Sequence, residues 1–328
     1  MRSKNYLGTF ILNVFAKIAS RVMGNSEFEY KIITRYSLKS LVKLFINQFY
    51  YLLKLDKPPY LLSLVIEPTN KCNLACQHCQ RTDMTRNIGE INIDLYKRII
   101  DENSSVAHVL LVCLGEPLMH NKIIDMINYA GERNIKPMII TNGILLTHNM
   151  ADMLLDSKLH SIAFSIDGIY ESYEKIRHIK YETIKKNIIN FLEKMKKVNK
   201  KKWVEIIMTV SEKNEGDIKN VRKEWEAYVD HISLQPEIIY NENKRTKRCK
   251  EIYRGNLIVF WNGTVVPCCV DFDGRIKIGN AHDDKLQNLW NSDKIRTLRR
   301  SHIKGNFTGL CGNCSEYTSQ LVGPRLTV

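Results

Sequence analysis

Thr69-Asn70-Lys71-Cys72-Asn73-Leu74-Ala75-Cys76-Gln77-His78-Cys79-Gln80 places three cysteines at the spacing C-x3-C-x2-C. Thiolates are the usual protein ligands of a cubane iron–sulfur cluster, which has four irons. Three closely spaced cysteines hold three irons and leave one position open, the arrangement of a catalytic rather than a structural metal site. The competing readings are a zinc site and a redox pair at Cys76 and Cys79. Apart from His78, nothing nearby supplies a fourth zinc ligand.

The segments around this run alternate. Leu61–Ile66 is an apolar run of strand length ending in Glu67-Pro68-Thr69-Asn70. Helix-patterned Ile93–Glu102 follows, then strand Val109–Cys113, helix Lys122–Arg133 and strand Pro137–Thr141. A helix near Met150–Asp156, strand Ser161–Ile166, helix Glu182–Val198, strand Trp203–Val210, helix Ile218–Tyr228 and strand Ile232–Gln235 complete the series. Apolar strands alternating with amphipathic helices predict an α/β fold with a parallel sheet and helical crossovers. Cys113 falls in the second strand and reads as a buried core thiol. His120 reads as a helix-start residue.

A second set of cysteines lies at Cys249, Cys268, Cys311 and Cys314. Asn262-Gly263, flanked by β-branched and aromatic residues, predicts a hairpin over 257–267. Leu286–His302 reads as one helix. Hairpin, helix and the Cys311–Cys314 pair bring thiolates together from distant positions. Cys269 is an alternative to Cys268, and the spacing from Gly263 favours Cys268, since adjacent strand residues face opposite sides. Four cysteines suit tetrahedral zinc as well as iron–sulfur.

The first cysteine motif resembles the radical S-adenosylmethionine (SAM) superfamily, with His78 where that family usually has an aromatic residue. The resemblance implies a partial (β/α)6 TIM-like barrel over 61–240. It also implies a [4Fe-4S] cluster on Cys72, Cys76 and Cys79, its open iron chelated by SAM. Carboxyl ends of barrel strands carry the chemistry. The implied cofactor contacts are Gly115, Glu116 and Pro117 after the second strand, Thr141 and Asn142 after the third, and Ser165 and Asp167 at the fourth. Arg177 is a carboxylate-pairing candidate, and Glu237 a substrate-contact candidate. Residues 241–328 resemble the shortened "twitch" form of the SPASM extension, which implies one auxiliary [4Fe-4S] cluster on Cys249, Cys268, Cys311 and Cys314. A fully ligated cluster exchanges electrons but cannot chelate substrate. The cysteine layout is similar to that of twitch-containing radical SAM alcohol dehydrogenases. That implies a 5′-deoxyadenosyl radical, hydrogen abstraction from a sugar or cyclitol alcohol, and the auxiliary cluster as electron acceptor. The rival expectations are a peptide-modifying radical SAM maturase and a non-catalytic iron–sulfur electron carrier.

Charge and composition narrow the partners. The chain has 328 residues, 44% hydrophobic and 26% charged, with a formal net charge of +14. Lysines gather at 194–202 and basic residues at 244–248. A small-molecule substrate, anionic or lipid-linked, fits that balance. No helix-turn-helix, zinc-finger or RNA-recognition pattern is present, so specific nucleic-acid binding is not expected. The resemblance implies an external donor such as flavodoxin or ferredoxin. Nine cysteines, with Asn13 and Lys17 interrupting the early apolar stretch, give the expectation of a reducing, cytoplasmic setting. Residues 1–60 form a separate helical section in this reading. Its amphipathic stretches Leu7–Ala19 and Leu38–Leu53 either pack on the catalytic domain or give residues 1–56 a peripheral membrane contact.

Overall fold

The structure is a computed structural model, described over residues 37–237 and 245–314. The first apolar stretch, Leu7–Ala19, lies outside these residues. The second forms α1 (Leu38–Leu52), whose N-cap Ser37 accepts from the Ser40 amide. Ser63–Ile66 is β1, followed by α2 (Ile93–Glu102), β2 (His108–Leu111), α3 (Ile123–Glu132), β3 (Lys136–Thr141) and α4 (His148–Asp156). Then come β4 (Ser161–Ser165), α5 (Tyr170–Arg177), α6 (Tyr181–Lys197), β5 (Trp203–Val210), α7 (Ile218–Trp225) and β6 (His231–Pro236). Asn92 and Thr147 start α2 and α4 by accepting backbone N–H groups, as N-caps do.

Six parallel strands lie side by side in chain order, β1 to β6. This is the α/β architecture of a partial (β/α)6 TIM-like barrel. Its helices bury one face against the sheet, and Leu64, Val109, Ile139, Ile162, Phe164 and Ile206 belong to that shared core. All strand carboxyl ends point one way, so the loops after β1 to β6 gather at one rim.

The sheet does not stop at the boundary expected near residue 240. β7 (Asn256–Val259) pairs parallel with the outer edge of β1, from Ser63↔Asn256 to Ile66↔Val259. β8 (Thr264–Val266) folds back as the expected hairpin, and β9 (Gly279–Asn280) adds to it. The C-terminal section thereby caps the edge that an open barrel leaves unpaired. The single helix expected over 286–302 is two, α8 (Leu286–Leu289) and α9 (Asp293–Ile303), before a last turn α10 (Gly309–Gly312). The break is where the Trp290 indole and the Asn291 amide both donate to the Pro58 carbonyl, at 2.8 and 3.1 Å.

α1 docks on this C-terminal section. Asn47 donates to the Tyr60 carbonyl (2.7 Å) and accepts from its amide (3.1 Å), and the Tyr51 ring meets Tyr253 edge-on at 5.4 Å. Among the described residues, no helix is long and apolar enough to cross a membrane.

Candidate active site

The loop after β1 carries Cys72, Cys76 and Cys79 at the barrel rim. It is held from both sides. The Cys79 amide donates to the Cys76 carbonyl (3.1 Å), Arg81 closes the turn on the Leu74 carbonyl (2.8 Å), and the Gln77 amide reaches the Ile176 carbonyl in α5 (2.9 Å). Burial pushes the Cys72 and Cys76 thiols up, Cys76 to about 11, and neighbouring cysteine charge adds to the rise at both. Thiols shielded as Cys72 and Cys76 are costly as isolated thiolates, and with Cys79 in the same loop they fit a shared cationic centre.

The motifs after β2 and β3 form the floor of this loop. Gly115 lies against it so closely that an added Cβ would stand 2.0 Å from the Thr69 carbonyl oxygen. The Glu116 amide donates to the Lys71 carbonyl (2.8 Å). The Glu116 side chain is buried and faces away from solvent: it accepts from Thr141 Oγ1 (2.7 Å) and from the amides of Asn142 (2.8 Å) and Leu118 (3.1 Å). Burial still raises its carboxyl above the usual range. Glu116 is therefore a brace joining the β2 and β3 ends, with Pro117 buried beside it. Asn142 continues toward the cysteines: its Nδ2 donates to Asn73 Oδ1 at 2.8 Å and lies 3.9 Å from Cys72 Sγ. Gly143 turns at φ +78 to leave the strand.

Ser165 ends β4, half-buried at the same rim. Asp167 and Arg177 are both buried, and they pair with each other: Arg177 Nε and an Nη lie 2.7 and 2.5 Å from Asp167 Oδ2. Burial would raise the Asp167 carboxyl, yet Arg177 and His78 hold it at about 2. His78 Nε2 is 3.1 Å from Asp167 Oδ2, and the Thr209 amide donates to the other oxygen (2.8 Å). His78 thus ties the cysteine loop, through Asp167, to the ends of β4 and β5. His120 is a buried spacer that bonds the Ile91 carbonyl (3.1 Å) and accepts from the Lys122 amide. At the end of β6, the Glu237 amide donates to the Val210 carbonyl (2.8 Å).

Glu67 is a residue whose role the sequence reading missed. It is fully buried and gripped by Arg86 through two 2.8 Å hydrogen bonds, and it accepts from the Trp261 amide (3.2 Å). Arg86 also donates to the Phe272 carbonyl (2.6 Å) and stacks on Phe260 at 3.8 Å. Asp273 accepts from the Thr85 amide and hydroxyl, both at 2.8 Å. These contacts clamp the segment after Cys79 to the segment after Cys268. Cys113 lies beyond β2 rather than inside it, half-buried beside Glu67, against the cluster of Ile258, Phe260 and Val266.

The four C-terminal cysteines come together beyond the β7–β8 hairpin. Cys249 and Cys314 are buried, Cys268 and Cys311 half-buried, and burial pushes Cys249 to about 12 and Cys311 to about 11. Burial raises the Cys268 thiol, and the charges of Cys269, Cys249 and Cys311 raise it further; Cys269 itself is exposed, and its charge also acts on Cys113. The Cys249 amide donates to His302 Nδ1 (3.2 Å), and Arg245 Nε donates to the Cys311 carbonyl (2.9 Å). Among the described residues no three His, Cys, Asp or Glu side chains converge on a single ion. A cubane instead takes each thiolate on a different iron.

Two family patterns match. Residues 66–225 match the radical SAM superfamily, and residues 249–315 match SPASM, an iron–sulfur cluster-binding domain. The chain is 34% identical over 128 residues to Fe-coproporphyrin III synthase of Methanosarcina barkeri, covering 38% of this chain and 31% of that protein's length. It is 21% identical over 272 residues to the S-adenosyl-L-methionine-dependent 2-deoxy-scyllo-inosamine dehydrogenase of Niallia circulans, covering 78% of this chain and 93% of that protein. Among solved structures, BtrN in complex with AdoMet and 2-DOIA superposes with a TM-score of 0.56 at 18% identity, over 79% of this chain and 94% of that one. Streptococcus suis SuiB bound to precursor peptide SuiA gives a TM-score of 0.60 at 18% identity, over 84% of this chain and 72% of that one. At these identities the structural likeness is one of fold.

Proposed function

Since this chain belongs to the radical SAM superfamily, with a [4Fe-4S] cluster, SAM and an iron–sulfur SPASM domain, we propose that it oxidises an alcohol of a sugar- or cyclitol-like molecule. The observation carrying this reading is the gathering of Cys249, Cys268, Cys311 and Cys314 in one buried place. Four thiolates saturate a cubane, so that site has no iron free for substrate and is suited to accepting an electron. The long match to a dehydrogenase supports the same reading.

When bound and reduced by an external flavodoxin- or ferredoxin-type donor, the cluster would supply one electron to SAM, whose C5′–S bond would break to give methionine and a 5′-deoxyadenosyl radical able to take one hydrogen atom. Alcohol oxidation then balances by loss of the hydroxyl proton and one electron, leaving a carbonyl. The residues of this chain set the stage. Cys72, Cys76 and Cys79 would hold three irons. Gly115 lets the β2 backbone approach the loop, and Glu116, Thr141 and Asn142 fix the rim at which SAM would lie. Asp167, Arg177 and His78 lock the other side of the loop. The Glu67–Arg86 clamp sets the spacing between the two cysteine sites.

The test begins with an anaerobically prepared Cys72/Cys76/Cys79→Ala variant, expected to retain about four irons and four sulfides per chain. The intact enzyme, given SAM and a reductant, should then convert a cyclitol or amino-sugar alcohol to a ketone with one SAM consumed per product. Zinc in place of iron at the C-terminal site would remove the electron acceptor and the proposal with it. The fold shared with peptide-bound SuiB favours a second reading, peptide modification. SAM cleavage prompted by peptides and by no alcohol would establish that reading instead.

A further inference from the structure

α1 buries Leu41 but also carries apolar side chains outward. Asn47 and Gln48 face the protein interior and are buried. Five apolar side chains face away from it: Leu38 is 45% exposed, Val42 43%, Phe49 58%, and Leu52 and Leu53 53% each. Their spacing of 4, 11, 14 and 15 residues from Leu38 puts them on one stripe of a helix. Leu55, just beyond the helix, is also 44% exposed. A contiguous apolar stripe of this kind marks a surface that is covered when the protein works.

The charges around the stripe identify the cover. Lys39 flanks it within the helix, as does the half-buried Lys43 with its ammonium 5.4 Å from the centre of the Tyr60 ring, and Lys54 and Lys57 follow it, exposed. No acidic residue occurs between Ser37 and Leu55. The next residue, Asp56, is held by Arg300 and Arg296. A second copy of the chain, docked face to face, would set lysine rim against lysine rim in a chain already at +14. An apolar strip on a helix whose own charges are all basic instead matches anionic headgroups over acyl chains. The 15-residue helix, about 22 Å long, is too short to span a bilayer and is suited to lying in its interface.

We propose that α1 docks this enzyme on an anionic lipid surface, its Leu38–Leu53 stripe entering the headgroup–acyl boundary and its lysines contacting the headgroups. Docking by this face sets the C-terminal section, on which α1 packs, next to the membrane.

The full iron-loaded chain would be floated with vesicles of phosphatidylcholine and phosphatidylglycerol at roughly seven to three, and with phosphatidylcholine alone. The anionic vesicles should carry the protein, neutral ones much less, and added salt should weaken binding. Phe49→Ser/Leu52→Ser/Leu53→Ser should bind the anionic vesicles at least about tenfold more weakly with its iron content unchanged. Lys54→Glu/Lys57→Glu alters no apolar packing and should also lose binding, so it decides the matter if the serine variant fails to fold. The idea is overturned if wild type ignores anionic vesicles, or if both variants bind them as wild type does. A wild-type dimer in light scattering that the serine variant converts to monomer would also overturn it, making a second copy the cover.

Discussion

A carboxylate with no solvent contact must have its charge answered inside the protein. Glu67 has that answer in Arg86, whose fork meets both oxygens at 2.8 Å. Replacing Glu67 by Leu strands a largely buried guanidinium and the Trp261 amide, and should cost about 3 kcal/mol in urea denaturation of the iron-loaded protein. The double variant Glu67→Leu/Arg86→Met should recover much of that loss, because no unpaired charge remains. Gly115 is decided by space rather than charge. A methyl group there meets the Thr69 carbonyl at 2.0 Å, so Gly115→Ala must push the cysteine loop off the β2 end. The expected result is loss of iron at Cys72, Cys76 and Cys79 alone, leaving about four of about eight irons per chain by anaerobic metal analysis. An unchanged iron content would mean that the loop moves without consequence for its cluster. The cysteine motif stands out by its spacing, whereas Gly115 was marked only through the family resemblance. Glu67, Arg86 and the partners of His78 were not legible, because their meaning depends on residues that only the folded sheet brings near.

The elements of the barrel were legible because each strand is an apolar run and each helix an amphipathic one, and those periods survive in a single sequence. α5 was not marked as a helix, since Tyr170–Arg177 follows β4 with only a short connection and carries five polar or charged residues. The pairing of β7 with β1 was equally hidden. A hairpin announces its own turn at Asn262-Gly263, but nothing local announces an outer neighbour almost two hundred residues earlier in the chain. The turn offers a test of how far the hairpin depends on its glycine. Gly263 sits at φ +81, and a Cβ there would lie 2.6 Å from Asn280 Oδ1 in β9. Gly263→Ala should therefore combine left-handed strain of about 1 kcal/mol with a displaced β9. Hydrogen exchange should report it as faster exchange at Ala281, whose amide donates to the Gly263 carbonyl (2.7 Å), while β3 and β4 stay protected.

At the scale of the molecule, the chain is closed by contacts between its early and late segments. Pro58 receives Trp290 and Asn291, and the buried Arg299 reaches the Asp56 carbonyl at 3.2 Å. The Asp56 side chain meets Arg300 and, at 3.4 Å, Arg296. α9 in turn supports the second cysteine site through His302 and the Cys249 amide. One acidic side chain thus joins the connection from α1 into the barrel to the helix behind the C-terminal site. Burial alone would raise the Asp56 carboxyl, but Arg300 and Arg296 outweigh it and its pKa falls below the ordinary 3.8. The sign of the pH dependence follows. A carboxyl with a lowered folded pKa stabilises the fold at pH values above its unfolded pKa, and that gain is lost as pH falls through the lowered value. Arg300 is half exposed, so solvent screening keeps the contribution below about 1 kcal/mol. Asp56→Asn should therefore shift the urea midpoint slightly but measurably at pH 7 and equally at pH 5. The gap from wild type should narrow only below about pH 4. High salt should narrow it at any pH, since the pair is reached by solvent. A gap that ignores both acid and salt would assign Asp56 a packing role in place of an ionic one.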